Sequence, residues 1–265
     1  MQFYEILQPY SLDIIAFIWF LLCLYGYSFY SYSEIGKKGS LHEVMNEHRK
    51  MWMASMLYRK AEDRLADNRV LAEIGVFATS FVSTCAIVIS VLLTILIPFK
   101  GAKEVIDSIP FISSYDPILW SLKVLFLIAI FISVIFKQTW VNRQLGDAKM
   151  MMLKCPVFPL EDKNQNLYNY HRDQMANIIS NAMKHHNIGI RTYYFGFVGI
   201  TWQLNPIFFM ISTCWLLCVI YRREYISKAY EIMNADQPSV LLATNMEKPE
   251  LPKWKYFALC WFLFN

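Results

Sequence analysis

Apolar residues along this chain gather into four long runs, separated by stretches rich in charge. The runs are roughly Leu12 to Tyr30, Val70 to Phe99, Ile118 to Phe136 and Thr192 to Tyr221. Each is long enough to cross the hydrocarbon core of a bilayer as a helix. The fourth is the longest. About 30 residues at 1.5 Å rise cover roughly 45 Å, and Gln203, Asn205 and Pro206 interrupt it in the middle. Backbone in lipid must satisfy its own hydrogen bonds, so the runs predict helices. The fold class expected is all-α: a polytopic membrane protein with four transmembrane helices.

The polar stretches between the runs also carry helical periodicity. Ser40, with Glu43 three residues on, has the form of a capping box. After it, Leu41, Val44, Met45, Trp52, Met56 and Leu57 recur at helical spacing. That predicts an amphipathic helix over about 40–69 that can run on into the second span. In the later connection, Met175, Ile178, Ile179, Ala182 and Met183 mark one face of a helix over about 165–188, and Gly189 is a suitable stop. Residues 101–117, with two prolines, form a loop. The expected organisation is one transmembrane domain over 1–234 and a tail over 235–265. The tail ends in an aromatic stretch, Trp254 to Phe264, too short to span and suited to anchoring at an interface.

Composition agrees with the pattern. Over 265 residues the mean hydropathy is +0.30, with 56% hydrophobic and 16% aromatic residues, which suits several spans with polar connections. A net charge of +4 is too small to imply nucleic acid as a partner. No basic region precedes the first run and no cleavage site follows it, so that run is expected to be retained as a helix. Lys and Arg number none before the first span, eight between the first and second, two between the second and third, eight between the third and fourth, and six after the fourth. The positive-inside rule then places both eight-residue sets in the cytoplasm and the N-terminus outside. Four spans would put the tail outside as well, against its six basic residues. The six cysteines form no CxxC and read as small hydrophobes.

Several motifs stand out in order along the chain: His48-Arg49-Lys50-Met51-Trp52-Met53, Thr79-Ser80-Phe81-Val82-Ser83-Thr84, and Phe136-Lys137-Gln138-Thr139-Trp140 followed by Arg143-Gln144. Further on come Arg191-Thr192-Tyr193-Tyr194-Phe195, Trp202 to Pro206, and Tyr221-Arg222-Arg223-Glu224. Together these resemble a family of bacterial and plant multi-pass membrane proteins known as domain of unknown function five-nine-nine. The resemblance extends from Leu12-Asp13 to about Ala229. It implies a multi-pass fold and an inner (plasma) membrane setting, and it brings no activity with it.

The residues that can carry chemistry are few. Thr79, Ser80, Ser83 and Thr84 put hydroxyls on the second span, either as a polar stripe beside a water-filled path or as small residues that let helices approach closely. Gln203, Asn205 and Pro206 fall near the middle of the fourth run. There a proline break frees carbonyls near Trp202, forming either an ion or solute site at mid-depth or a packing kink. Lys123 sits near the outer end of the third span, where it either snorkels or turns inward to meet Asp13. Arg49, Arg59, Arg64, Arg69 and Arg191 suggest a basic cytoplasmic collar for anionic lipid or for recruiting anions. His42 and His48 are six residues apart and do not share a helix face, so no metal site and no cofactor are expected. No GxSxG, P-loop or GxGxxG is present, so an enzyme is the third choice. The first expectation is an oligomeric ion or small-solute channel or transporter. The alternative is a non-catalytic scaffold or accessory subunit of a larger membrane complex. In either case the partners are membrane lipid and copies of itself or other subunits.

Overall fold

The computed structural model describes residues 10–33, 40–60, 62–96, 116–156 and 165–235. In chain order the elements are α1 (Ser11–Tyr32), α2 (Leu41–Leu57), α3 (Arg64–Leu96), α4 (Pro117–Lys154), α5 (Gln165–Ile200), a 3₁₀ turn (Thr201–Gln203), α6 (Pro206–Tyr225) and α7 (Lys228–Ala235). No strand occurs among the described residues. Among the described residues, four helical stretches are long and apolar enough to cross a membrane: α1, α3, α4 and the one that begins at Pro206. The chain is an all-α polytopic protein. The aromatic stretch Trp254 to Phe264, most of the 101–117 loop and the tail after residue 235 lie outside the described residues.

Local chemistry sets the helix starts. The Ser40 hydroxyl accepts from the Glu43 backbone N–H at 3.3 Å and opens α2. Asp116 opens α4 by accepting from the Ile118 N–H at 2.9 Å, with Pro117 in the first helical position. The Tyr10 hydroxyl donates to the other oxygen of Asp116. That bond, followed by the backbone bond, holds the Asp116 carboxyl below its ordinary range. Asn205 repeats the device. Its side chain accepts from the Ile207 N–H at 2.8 Å, and Pro206 is the first residue of α6.

Three boundaries differ from the sequence-based expectation. The helix expected over 40–69 ends at Leu57, and α3 starts afresh at Arg64 before entering the second apolar run. Gly189 does not stop the helix expected over 165–188, because α5 runs through it to Ile200. The fourth run is not one helix. It divides into the end of α5, the 3₁₀ turn and α6. Pro206 lacks the N–H that a continuing helix needs, and it is tolerated where that donor has no helical partner anyway.

The chain folds into two compact units. The first comprises Met1–Ser28, Glu73–Arg143 and His185–Leu217. Its centre is aromatic: Phe20, Phe131, Phe195 and Phe209 are fully buried. Phe20 touches Phe126, Phe195 and Phe209 with ring centroids 5.9, 5.6 and 5.0 Å away, geometry in which each pair adds about 0.5–1.5 kcal/mol beyond its burial. Glycines let α5 lie close against α4. A Cβ on Gly196 would meet the Phe131 ring at 2.9 Å, and one on Gly199 would come closer still to Leu127. The outer faces carry Leu22, Ile87, Ile118, Phe136, Ile211 and Trp215, all more than half exposed, as expected of a surface solvated by lipid.

The second unit comprises Phe29–Ala72, Gln144–Lys184 and Cys218–Asn265. Its core is built from Val44, Met53, Met56, Leu57, Leu71, Leu145, Met152, Met175, Ile179 and Ala182. These include Val44, Met56 and Leu57 of the first amphipathic stripe and Met175, Ile179 and Ala182 of the second. Arg64, only 2% exposed, joins the elements. Its guanidinium donates to the carbonyls of Leu57, Met152, Cys155 and Pro156. Leu57 and Met152 belong to the last turns of α2 and α4, whose carbonyls lack partners within their own helices, and Cys155 and Pro156 lie just beyond the end of α4. Asp67, one turn further along α3, accepts from Trp52 at 2.8 Å and Arg59 at 3.0 Å. The Tyr168 hydroxyl donates to the Ala54 carbonyl at 3.2 Å, its ring stacks on Tyr58, and burial pushes its phenol above the usual range. The short helix α7 packs against α2.

The Arg64 clamp makes a stability prediction. Arg64→Met leaves the carbonyls of two helix ends buried without donors and should cost about 3 kcal/mol. Arg64→Lys should recover only part of it, because an ammonium lacks the planar fork that reaches several acceptors. Thermal unfolding in mild detergent measures both. Unchanged midpoints would show that the clamp contributes nothing.

Candidate functional site

A buried charge pair in the first unit is the most distinctive chemical feature. Lys123, the seventh residue of α4, is 5% exposed, and Asp13, the third residue of α1, is 8% exposed. The Lys123 ammonium lies 2.6 Å from Asp13 Oδ1. The same oxygen accepts from the Trp202 indole N–H at 2.8 Å. Lys123 also donates to the Trp202 carbonyl at 3.3 Å, and its ammonium sits 5.2 Å from the centroid of the Trp202 ring. Thus Trp202 serves both ions: it gives a proton donor to the carboxylate and a carbonyl and a ring face to the ammonium. Phe17 and Phe209 stack on the indole at 5.7 and 5.2 Å, and Phe126 meets it edge-on at 6.0 Å. Every member of the pair is therefore either bonded or shielded by a ring. Lys123 is turned inward to Asp13, and the carbonyl it takes belongs to the interrupted segment near Trp202.

Gln203, Asn205 and Pro206 are not at mid-depth of a helix. Their neighbour Trp202 is level with Asp13, in the first turn of α1. The segment is a turn between two helices, and Asn205 and Pro206 are spent on starting α6. The three residues therefore do not occupy the mid-helix position expected of them. The Gln203 amide is unusual all the same, because both its nitrogen and its oxygen are buried without a hydrogen-bond partner among the described residues. A buried amide in that state is costly.

The α3 hydroxyls lie on the surface of the chain. Thr79, Ser80 and Ser83 are exposed and Thr84 half-buried. Each donates to a carbonyl of its own helix: Thr79 to Gly75 at 3.0 Å, Ser80 to Phe77 at 2.7 Å, Ser83 to Thr79 at 3.3 Å and Thr84 to Ser80 at 2.9 Å. Ser90 and Thr94 do the same further along. Thr79 also accepts from the Asn142 side chain at 2.9 Å, and a Cβ on Gly75 would meet the same Asn142. Near the other end of the unit, the His186 ring pairs with the buried Gln138 amide at 2.8 Å, and Lys137 donates to Thr192 at 3.0 Å.

The arginines do not form an open collar. Arg64 is consumed by carbonyls, and Arg191 is buried with its guanidinium 5.2 Å from the Tyr27 ring. Arg59 pairs with Asp67. Arg49 is half-buried on α2 and donates to Asn46 at 2.7 Å, and burial lowers its guanidinium to about 10. Arg69 stands exposed on α3. Sequence spacing shows which residues are basic. It does not show that a long side chain has been drawn under a neighbouring helix end.

Comparison with known proteins adds a family and no activity. The family described as "Protein of unknown function, DUF599" matches residues 15–229. No curated protein and no solved structure matches the chain significantly.

The ion pair predicts a non-additive cycle. Asp13→Leu alone strands a buried ammonium and an indole N–H, at a cost of about 3–5 kcal/mol. Adding Lys123→Met to that variant should restore part of the loss, because no charge is then left unpaired. Unfolding midpoints of wild type, the two single variants and the double variant give the coupling. Simple additivity would mean that the two groups do not interact in the folded protein.

Proposed function

The chain belongs to the DUF599 family of proteins of unknown function, and we propose that it acts in the inner (plasma) membrane as a non-catalytic scaffold or accessory subunit, joined to its partners through the outer face of α3. One observation carries this reading: the row of small and hydroxyl residues on α3 faces away from the chain's own core. In lipid there is no hydrophobic force between helices, so association relies on close backbone approach and side-chain hydrogen bonds, which Gly, Ala, Ser and Thr permit. The centre of the first unit is filled by the rings of Phe20, Phe131, Phe195 and Phe209, which favours a role for the outer face over a path through that centre. The N-terminus is placed outside, supported by the distribution of Lys and Arg.

A second reading has its own support. Because Thr79, Ser80, Ser83 and Thr84 point outward, copies of the chain arranged around a centre would present these hydroxyls to one another and enclose a conduit for ions or small solutes. The two readings separate on the mass of the gently extracted complex. A scaffold is expected to come out with different polypeptides, and Thr79→Leu with Ser83→Leu should release them. A channel is expected to come out as a ring of identical chains, and the same substitutions should lower its conductance in a planar bilayer. A monomeric complex that is indifferent to both substitutions would overturn the role given to α3.

A further inference from the structure

We infer that the chain crosses the membrane five times, the additional crossing being the second half of α5, from His185 to Ile200, so that the residues after Tyr225 lie on the same side as the two basic connections. The inference rests on the multi-pass reading above and is independent of what the protein does. Hydropathy alone does not pick out this stretch, because His185, His186, Asn187 and Arg191 dilute it. Three observations do.

The first is register within the first unit. Against α1, a span by length and composition, α5 runs in the opposite direction: Arg191 meets Tyr27, Phe195 meets Phe20, and Trp202 meets Phe17 and Asp13. Against α4, also a span, it is again antiparallel: His186 meets Gln138, Gly196 meets Phe131, Gly199 meets Leu127 and the Trp202 carbonyl meets Lys123. The chain then reverses. Phe209 comes back to Phe20. From His186 to Trp202 is roughly 24 Å of helix, most of the hydrocarbon thickness of about 30 Å. A helix that accompanies two spans for that distance crosses with them.

The second observation is how polarity is sorted. Between residues 185 and 200 the exposed positions are Tyr194, Phe197 and Ile200, while His186, Arg191 and Thr192 are buried. A helix lying in water sorts its residues the other way. In a membrane, ionisable groups turn toward the bundle.

The third is charge. The turn from Thr201 to Asn205 holds no Lys or Arg, as suits an outer connection, and six basic residues follow Tyr221. Five crossings put all three basic-rich stretches on one side. With four, the tail stands on the wrong one.

Topology mapping of the full-length chain in intact cells tests this. A tag at each end is scored for access to an impermeant probe, and Leu204→Cys, at an exposed position of the turn, is scored with an impermeant maleimide against the wild-type cysteine background. Five crossings predict tags on opposite sides and Leu204→Cys labelled from the side of the N-terminal tag. Tags on the same side, with Leu204→Cys unlabelled even after permeabilisation, would overturn the inference. Opposite tags with the N-terminal one inside would leave five crossings standing and reverse only the orientation.

Discussion

An ammonium enclosed by aromatic rings has to be neutralised where it sits, and in the first unit Asp13 does this for Lys123. The consequences extend to three helices. Asp13 fixes the beginning of α1, Lys123 fixes α4 at its second turn, and Trp202 brings the end of α5 to the same level by bonding to both. Ion pairs in a low-dielectric setting give little net stability over apolar residues of the same shape. What such a pair does impose is alignment, because sliding any one helix by a residue separates charges that nothing else nearby can compensate. The stacked rings of Phe17, Trp202 and Phe209 keep water from substituting. Directly after this junction the chain turns and Asn205 starts α6.

Much of the fold could be read from the sequence, and the misreadings have physical causes. Apolar run length located α1, α3 and α4, and the Ser40–Glu43 signature located the start of α2. The fourth run reads as a single helix because hydropathy averages over direction: an apolar stretch that reverses looks the same as one that continues. A signal was present, since Asn205-Pro206 repeats Asp116-Pro117, and both pairs open a helix with a side-chain acceptor followed by proline. At 45 Å the run was also longer than a single crossing needs. Gly189 has the composition of a helix stop, yet it belongs with Gly196 and Gly199 to the seam that admits α4 side chains. Only the three-dimensional neighbour distinguishes those roles.

The site residues show the same division. Spacing correctly put Thr79 and Ser83 on one face of α3, but periodicity does not say whether a face points to the core or to lipid. Likewise, Arg64 and Arg191 are indistinguishable in sequence from Arg69, which stays exposed. The difference lies in which carbonyls and rings happen to end nearby. The α3 hydroxyls are satisfied by their own helix and Arg64 by helix-end carbonyls, whereas the Gln203 amide beside the buried pair has both its polar atoms buried without a partner among the described residues.

Arg64 also has a history within each molecule. Its four acceptors include the Cys155 carbonyl, 91 residues later in the chain. At a synthesis rate of about 5–20 residues per second, that carbonyl emerges roughly 5–20 s after the arginine. For that interval Arg64 has the Leu57 carbonyl at hand but not those of Met152, Cys155 and Pro156, so the rest of its guanidinium needs water. The contact that locks the second unit together is thus completed late, only after α4 has been made.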